Sequence, residues 1–176
     1  IDNVVVTANK YATKQKEVAT IVNVVSPLII ESTASNSMAD VLNFQTGLRV
    51  EETCSNCGVP QIRINGLEGQ YTQILMDSRP IFSSLASVYG LEQLPAGMVD
   101  RIEVIRGGGS ALYGANAIAG VVNIITKEPT RNFFNVSNSS AFTEQGTYDI
   151  NTNLNASVVA ENQKAGIYLF GVQRNR

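Results

Sequence analysis

The sequence predicts an α+β domain with a small mixed β-sheet and short helices, followed by a run of antiparallel strands. Three observations carry this. Two β-branched runs, Arg101–Arg106 and Val121–Thr126, flank the glycine-rich connection "GGGSALYGANAIAG". Short apolar-periodic stretches with helix-start signals lie upstream. After Pro129 the apolar period changes to two.

Each element follows from local chemistry. "DNVVVTA" (Asp2–Ala8) is extended and β-branched, and the polar "YATKQKE" after it has little to pack. Asp2–Lys16 is therefore expected to be poorly ordered. Thr20–Val25 reads as a buried strand. Ser26-Pro27 supplies an N-cap and a proline at the first helical position, opening a helix with Leu28, Ile29 and Ile30. Ser37–Asp40 resembles a capping box. Met38, Val41 and Leu42 then share one helical face, and Gly47 suits a left-handed end. Gln61–Asn65 and Thr72–Asp77 read as strands joined by "GLEGQ" in a hairpin. Ser78–Gly90 is a loop, and "EQLPAGMVDR" holds a short helix near Pro95. In "TYDINTNLNASVVA", Tyr148, Ile150, Leu154, Ala156 and Val158 alternate with Asp149, Asn151, Asn153, Asn155 and Ser157. Two readings of that alternation stand side by side: an ordinary meander with one wet face, or a porin-type wall with apolar residues toward lipid.

Composition narrows the chemistry. A formal charge of −2 gives no field for nucleic acid. There is no histidine, which removes the commonest catalytic base and imidazole metal ligands from this chain. No lysine follows the glycines as a phosphate-binding loop requires. The dinucleotide fingerprint fails because Leu112 stands where its third glycine belongs. The glycines therefore read as a tight connection between neighbouring strands. Cys54 and Cys57 supply two of the roughly four ligands a zinc ion needs. They lie in a Ser/Asn/Gly loop rather than at a helix start. A small structural disulfide in an oxidising compartment is the reading, stiffening the loop by about 2 kcal/mol. The chain begins at Ile1 without methionine, as a mature or trimmed product would.

The motif "VDRIEVIRGGGSALYGANAIAGVVNIITK" resembles the signature of TonB-dependent outer-membrane receptors, with Gly108 where many members have proline. "ADVLNFQTGLRV", "QIRINGLEGQYTQILMDSRPI" and "YGLEQLPAGMVDRIEVI" fall in that family's order, and "DNVVVTA" is similar to its TonB box. The resemblance implies a non-enzymatic plug domain followed by the first strands of a truncated transmembrane β-barrel. It divides the chain into a TonB box and linker (1–17), a plug (18–128) and barrel strands (129–176). It implies import of a scarce nutrient of the ferric siderophore, haem or cobalamin class, without a resident cofactor or metal. The partners implied are the TonB energising protein, that nutrient and outer-membrane lipid. The plug would sit inside the barrel with its N-terminus in the periplasm.

By the same resemblance, Asp2, Asn3, Val4, Val5, Val6, Thr7 and Ala8 form the handle, gripped by strand addition. Arg106 matches the arginine that meets barrel glutamates. The family's second arginine is replaced here by Asn65, and Arg63, two residues earlier, is the substitute. Thr53, Cys54, Ser55, Asn56 and Cys57 form one candidate ligand loop, and Arg79, Phe82 and Tyr89 belong to the other. The competing reading is a soluble all-β binding or adhesion module; a nucleotide enzyme stands third.

Overall fold

The computed structural model describes residues 4–32, 38–43, 45–52, 60–81, 94–142 and 148–175. They form two compact units, Ile1–Thr126 and Lys127–Arg176. The first is built on a five-stranded mixed sheet. Its strands are β3 (Val22–Val25), β6 (Thr72–Met76), β7 (Arg79–Pro80), β8 (Val99–Arg106) and β9 (Gly120–Thr126), in the order β3-β8-β9-β6-β7. Only β6 and β9 run parallel. Two further pairs stand apart from it: β1 (Val4–Val5) with β2 (Thr13–Lys14), and β4 (Leu48–Glu52) with β5 (Pro60–Ile64).

The two faces of this sheet bury different things, because alternate side chains point to opposite faces. One face presents Val25, Ile74, Ile102, Val104, Val122 and Ile124. It packs with α1 (Pro27–Ser32), α2 (Met38–Asn43) and the inner residues of β4 and β5, including Leu48, Ile62 and Ile64. The apolar stripe of α2 is the expected one, with Met38, Val41 and Leu42 fully buried. Ser26 accepts from the amides of Ile29 and Ile30, so the proline-led start also forms. The other face presents Val22, Leu75, Ile105 and Val121, covered by Val5, Ala8 and Ala117.

Two expectations are corrected. Gln61–Asn65 and Thr72–Asp77 do not pair as a hairpin: β5 pairs with β4, and β6 lies in the large sheet. Asn65 and Gly66 adopt φ of 52° and 81°, and a 3-10 turn at Gly69–Tyr71 carries the chain away before β6 begins. Nor is the N-terminal segment unpacked. Val5, Thr7 and Ala8 are buried, because the second sheet face would otherwise leave Leu75, Val121 and Ile105 in water.

The glycine-rich connection is a tight corner between antiparallel neighbours β8 and β9. It contains α3 (Ser110–Tyr113) and a 3-10 turn at Ala115–Ala117. Gly107, Gly108 and Gly114 take φ of 67°, 63° and 89°. Gly120 closes the corner at φ 154°, with an added Cβ falling 2.2 Å from the Ile105 carbonyl oxygen.

The second unit is an antiparallel meander of β10 (Phe133–Phe142), β11 (Tyr148–Val159) and β12 (Gly166–Asn175). Phe134 opposes Ala156, which opposes Leu169; Val136 opposes Leu154; Val158 opposes Ile167. These side chains share one face. Its large members are exposed: Phe134, Val136, Leu154, Val158, Ile167 and Leu169. On the opposite, polar face Asn151 and Ser157 are buried. Edge strand β12 also places Phe170 and Val172 on that polar face. The usual burial pattern of a protein in water is inverted here.

Gly120→Ala is expected to destabilise the first unit by several kcal/mol, because its Cβ meets backbone that cannot rotate away. Gly114→Ala, with nothing within 4 Å of an added Cβ, should cost only the backbone strain of φ 89° and ψ −176°, about 1–3 kcal/mol. Denaturant melts of the two variants check the order; equal losses would contradict it.

Candidate functional site

A chain of polar side chains crosses the second sheet face. Glu103 stands in the middle of apolar β8, fully buried, directly opposite Asn123 on β9. A carboxylate in such a place must be paired and hydrogen-bonded. Its Oε2 accepts from the backbone N–H of Val6 (2.8 Å), the backbone N–H of Thr7 (2.8 Å) and the Thr7 hydroxyl (2.7 Å). Its Oε1 pairs with Arg101 Nε at 2.9 Å, and Arg101 in turn reaches Asp100 at 3.0 Å. Two successive amides aimed at one anion make a small nest. The chain turns there: Lys10 donates its amide to the Val6 carbonyl and sits at φ 64°.

Other groups complete the grip. The Tyr113 hydroxyl donates to the Thr7 carbonyl at 2.7 Å, and the Lys10 ammonium lies 5.2 Å from the Tyr113 ring centre. Asn123 Nδ2 donates to Thr7 Oγ1 at 2.9 Å. β1 pairs with β2 through Val4–Lys14 and Val5–Thr13. So β1 is engaged by β2, and the amides just beyond it by Glu103. Burial pushes the Tyr113 phenol above its ordinary range, and the charge of Glu103 adds to this.

The structure treats the expected site residues unequally. Val4, Val5, Val6, Thr7 and Ala8 come together on Glu103 and the sheet; Asp2 and Asn3 lie outside the described residues. So do Thr53, Cys54, Ser55, Asn56, Cys57, Phe82 and Tyr89, and with them the disulfide reading. Arg79 is exposed on β7. Arg63 does not project alone: its Nε lies 2.8 Å from Glu51 Oε2, while Arg49 Nε lies 3.1 Å from Glu51 Oε1. The Arg63 N–H is not aimed at the carboxylate, so this is an ion pair without a directed hydrogen bond. Arg106 donates to the Thr46 carbonyl and lies against Gly47, where an added Cβ would stand 3.0 Å from the guanidinium. With its amide oxygen turned toward the guanidinium, Asn23 also accepts from Arg106, at 3.2 and 3.3 Å. Glu103 and Asn123 were not among the expected residues. Their signal was present: one acidic and one amide side chain inside otherwise apolar strands, "IEVI" and "VVNII".

This architecture, a mixed sheet wrapped by its own N-terminal segment and followed by a strand meander, is that of a receptor plug. The chain belongs to the TonB-dependent Receptor Plug Domain family, whose model matches residues 14–121. That match begins after the segment held by Glu103. A similar curated protein is the vitamin B12 transporter BtuB of Vibrio vulnificus, 37% identical over 125 residues, 71% of this chain and 20% of that protein. The chain thus spans about a fifth of that relative's length. The siderophore receptor PirA from Acinetobacter baumannii has a similar structure, with a TM-score of 0.69 and 27% identity. The alignment covers 87% of this chain and 24% of PirA. The ferripyoverdine receptor of the outer membrane of Pseudomonas aeruginosa shares the fold at a TM-score of 0.77 and 18% identity, over 98% of this chain and 22% of that one. Receptors of this family are outer-membrane transport proteins.

Glu103→Ala leaves two amides and Arg101 without their anion, a loss of about 3–5 kcal/mol from the docked segment. Hydrogen exchange at Val6 and Thr7 should accelerate while β8 and β9 stay protected; unchanged protection at Val6 and Thr7 would contradict this role. A raised Tyr113 pKa means that the folded state holds the phenol proton more tightly. Its contribution is present below the unfolded value of about 10 and is lost as pH rises through the folded value. Raising pH from about 9 to about 11 should loosen Val4–Ala8 more in the wild type than in Tyr113→Phe. Equal pH slopes would contradict the assignment.

Proposed function

We propose that this chain is the plug and first barrel strands of an outer-membrane active transporter. In this reading it binds a scarce nutrient of the ferric siderophore, haem or cobalamin class and imports it with energy delivered by TonB. The inverted second unit carries the reading. Apolar Phe134, Val136, Leu154, Val158, Ile167 and Leu169 are exposed on one face, while polar Asn151 and Ser157 are buried on the other. A strand wall between lipid and a polar lumen needs this arrangement, and β11, at 12 residues, is long enough to span. Family membership supports the plug; the soluble all-β module has no comparable support.

Asp2–Ala8 is the handle in this reading, and its docked state holds it back. Strand addition along the whole segment needs its backbone groups free, whereas β2 takes one edge of Val4 and Val5, and Glu103 holds the Val6 and Thr7 amides. Release must therefore precede engagement by TonB. Arg106 remains the proposed anchor to a barrel carboxylate: a guanidinium carries five donors, so its contacts to Thr46 and Asn23 leave capacity. Arg63, paired with Glu51, supports that role less. The nutrient would meet the outer loops, with Cys54 and Cys57 in one and Arg79, Phe82 and Tyr89 along the other. Similarity to a vitamin B12 transporter and to a siderophore receptor makes cobalamin and ferric siderophores the first two ligands to offer.

Val4 is half-exposed, so its substitution spares the core. Val4→Pro fixes φ and removes an N–H, whereas Val4→Thr keeps strand propensity and donor. Whole-cell binding of cyanocobalamin or a ferric siderophore should survive both changes. Energised accumulation should fall at least about tenfold for proline alone, the loss expected when an added strand is broken at a cost above 1.4 kcal/mol. Equal accumulation by the two variants would remove Asp2–Ala8 as the handle.

A further inference from the structure

One buried side chain touches both ends of the proposed mechanism. Asn123 Oδ1 accepts the backbone N–H of Ser78 at 3.0 Å. Its Nδ2 donates to Thr7 Oγ1 at 2.9 Å and to Ser78 Oγ at 3.2 Å. Thr7 Oγ1 then spends its only proton on Glu103 Oε2 at 2.7 Å. The Ser78 amide, the Asn123 NH2 and the Thr7 hydroxyl each face an acceptor, and the chain ends on a carboxylate. Its direction is fixed: turning the Asn123 amide over would set an NH2 against the Ser78 N–H and leave the Thr7 hydroxyl without its donor. Asn123, Thr7 and Glu103 are fully buried, so water does not substitute for a lost bond.

Ser78 is not an arbitrary endpoint. Asp77 and Ser78, at φ 47° and 65°, form the two-residue turn between β6 and β7. β7 precedes in the chain the stretch with Phe82 and Tyr89, the candidate ligand segment of the transporter reading. The Asp77 half of the turn is pinned to the end of β9, since its carboxylate accepts from the Thr126 amide at 2.9 Å and hydroxyl at 2.8 Å. The Ser78 half is held by Asn123. A displacement of β7 therefore acts on the Asn123 side chain through Ser78, while Asp77 is held by the backbone and side chain of Thr126 on the same strand. The same amide is a hydrogen-bond partner of the residue that Glu103 grips.

We propose that Asn123 is a positioning residue that couples the Asp77–Ser78 turn to the docking of the N-terminal segment. It rests on the transporter reading for what the two ends do, but the coupling belongs to this chain alone. A pull on β7 rotates the Asn123 amide, withdraws the donor from Thr7 Oγ1 and weakens the hold on Thr7. By linkage the reverse also holds: loosening Thr7 frees Asn123 and loosens Ser78.

That reverse direction gives a test without nutrient or TonB. In the full receptor, amide exchange is followed in peptides covering residues 4–8, 76–81 and, as an internal control, 101–106. Thr7→Val keeps the shape and removes the hydroxyl; Thr7→Ser keeps the hydroxyl. Thr7→Val should speed Ser78 exchange about three- to tenfold, the effect of one weakened hydrogen bond, while Thr7→Ser leaves it near wild type. Asn123→Leu should speed exchange at both Ser78 and Thr7, and adding Thr7→Val should then change nothing further at Ser78. Ser78 exchange that is unaltered in Thr7→Val, altered equally by the serine variant, or accelerated together with residues 101–106 would overturn the coupling. If Asn123→Leu does not fold, the two Thr7 variants still decide. Failure here leaves the uptake experiment on Val4 untouched, so the coupling and the transport reading fall separately.

Discussion

A buried carboxylate dictates how this domain is closed. Glu103 lies in the central region of the sheet with no access to water, so its charge must be met by the protein itself. One oxygen is met by Arg101, two residues away on the same strand face. The other has no partner on the sheet's own backbone, because sheet amides are committed to their ladders. The N-terminal segment supplies what is missing, with two amides and a hydroxyl from Val6 and Thr7. A carboxylate, unlike an apolar residue, fixes the register of what covers it. Sliding the segment by one residue would break three hydrogen bonds and move Val5 off the apolar floor. The same arrangement is strong when complete and easily upset when one member is withdrawn, because the members share one buried carboxylate.

The two units follow opposite rules of burial for one physical reason. In the first, apolar side chains escape water by packing on both faces of a sheet, and polar groups enter only in fully paired form. In the second, the large apolar side chains of Phe134, Val136, Leu154, Val158, Ile167 and Leu169 are exposed on one face, while Asn151 and Ser157 are buried on the other. An exposed apolar sheet face of this kind is costly in water, and it is the feature on which the proposed barrel wall rests. The glycine-rich corner serves the first pattern. With an added Cβ at Gly120 falling on the Ile105 carbonyl oxygen, the return into β9 admits no side chain.

Much of this was legible before any tertiary contact. Periodicity placed the apolar stripe of α2, the strands on either side of the glycine-rich corner and the two-sided alternation of β11, though not which side is exposed, because a helix and a strand each repeat their side chains at a fixed interval. The glycine count excluded a phosphate cradle by spacing alone. Motif order pointed to the receptor family. The "GLEGQ" hairpin was misjudged because two neighbouring strands with a turn between them carry no mark of which sheet each will join. The register was settled by Asn65 and Gly66, whose positive φ values steer the chain out of the plane. The free N-terminus was misjudged for a related reason: a short β-branched peptide looks alike whether its partner is another protein or its own sheet.

The sequence by itself determined most element types, the family and the change of apolar period after Pro129, since these depend on neighbours along the chain. Only the tertiary structure decided that Thr7, Ser78, Glu103 and Asn123 meet. They lie up to 116 residues apart, and nothing in local propensity distinguishes a buried amide that joins two segments from one that merely ends a strand. Pairing of β8 with β9 sets Glu103 opposite Asn123, parallel pairing of β6 with β9 brings the Asp77–Ser78 turn beside them, and the apolar floor then draws in Val5 and Thr7. The site exists because hydrogen-bond ladders and apolar burial, each satisfied for its own reasons, leave one carboxylate and one amide facing a segment that offers donors to the first and an acceptor to the second.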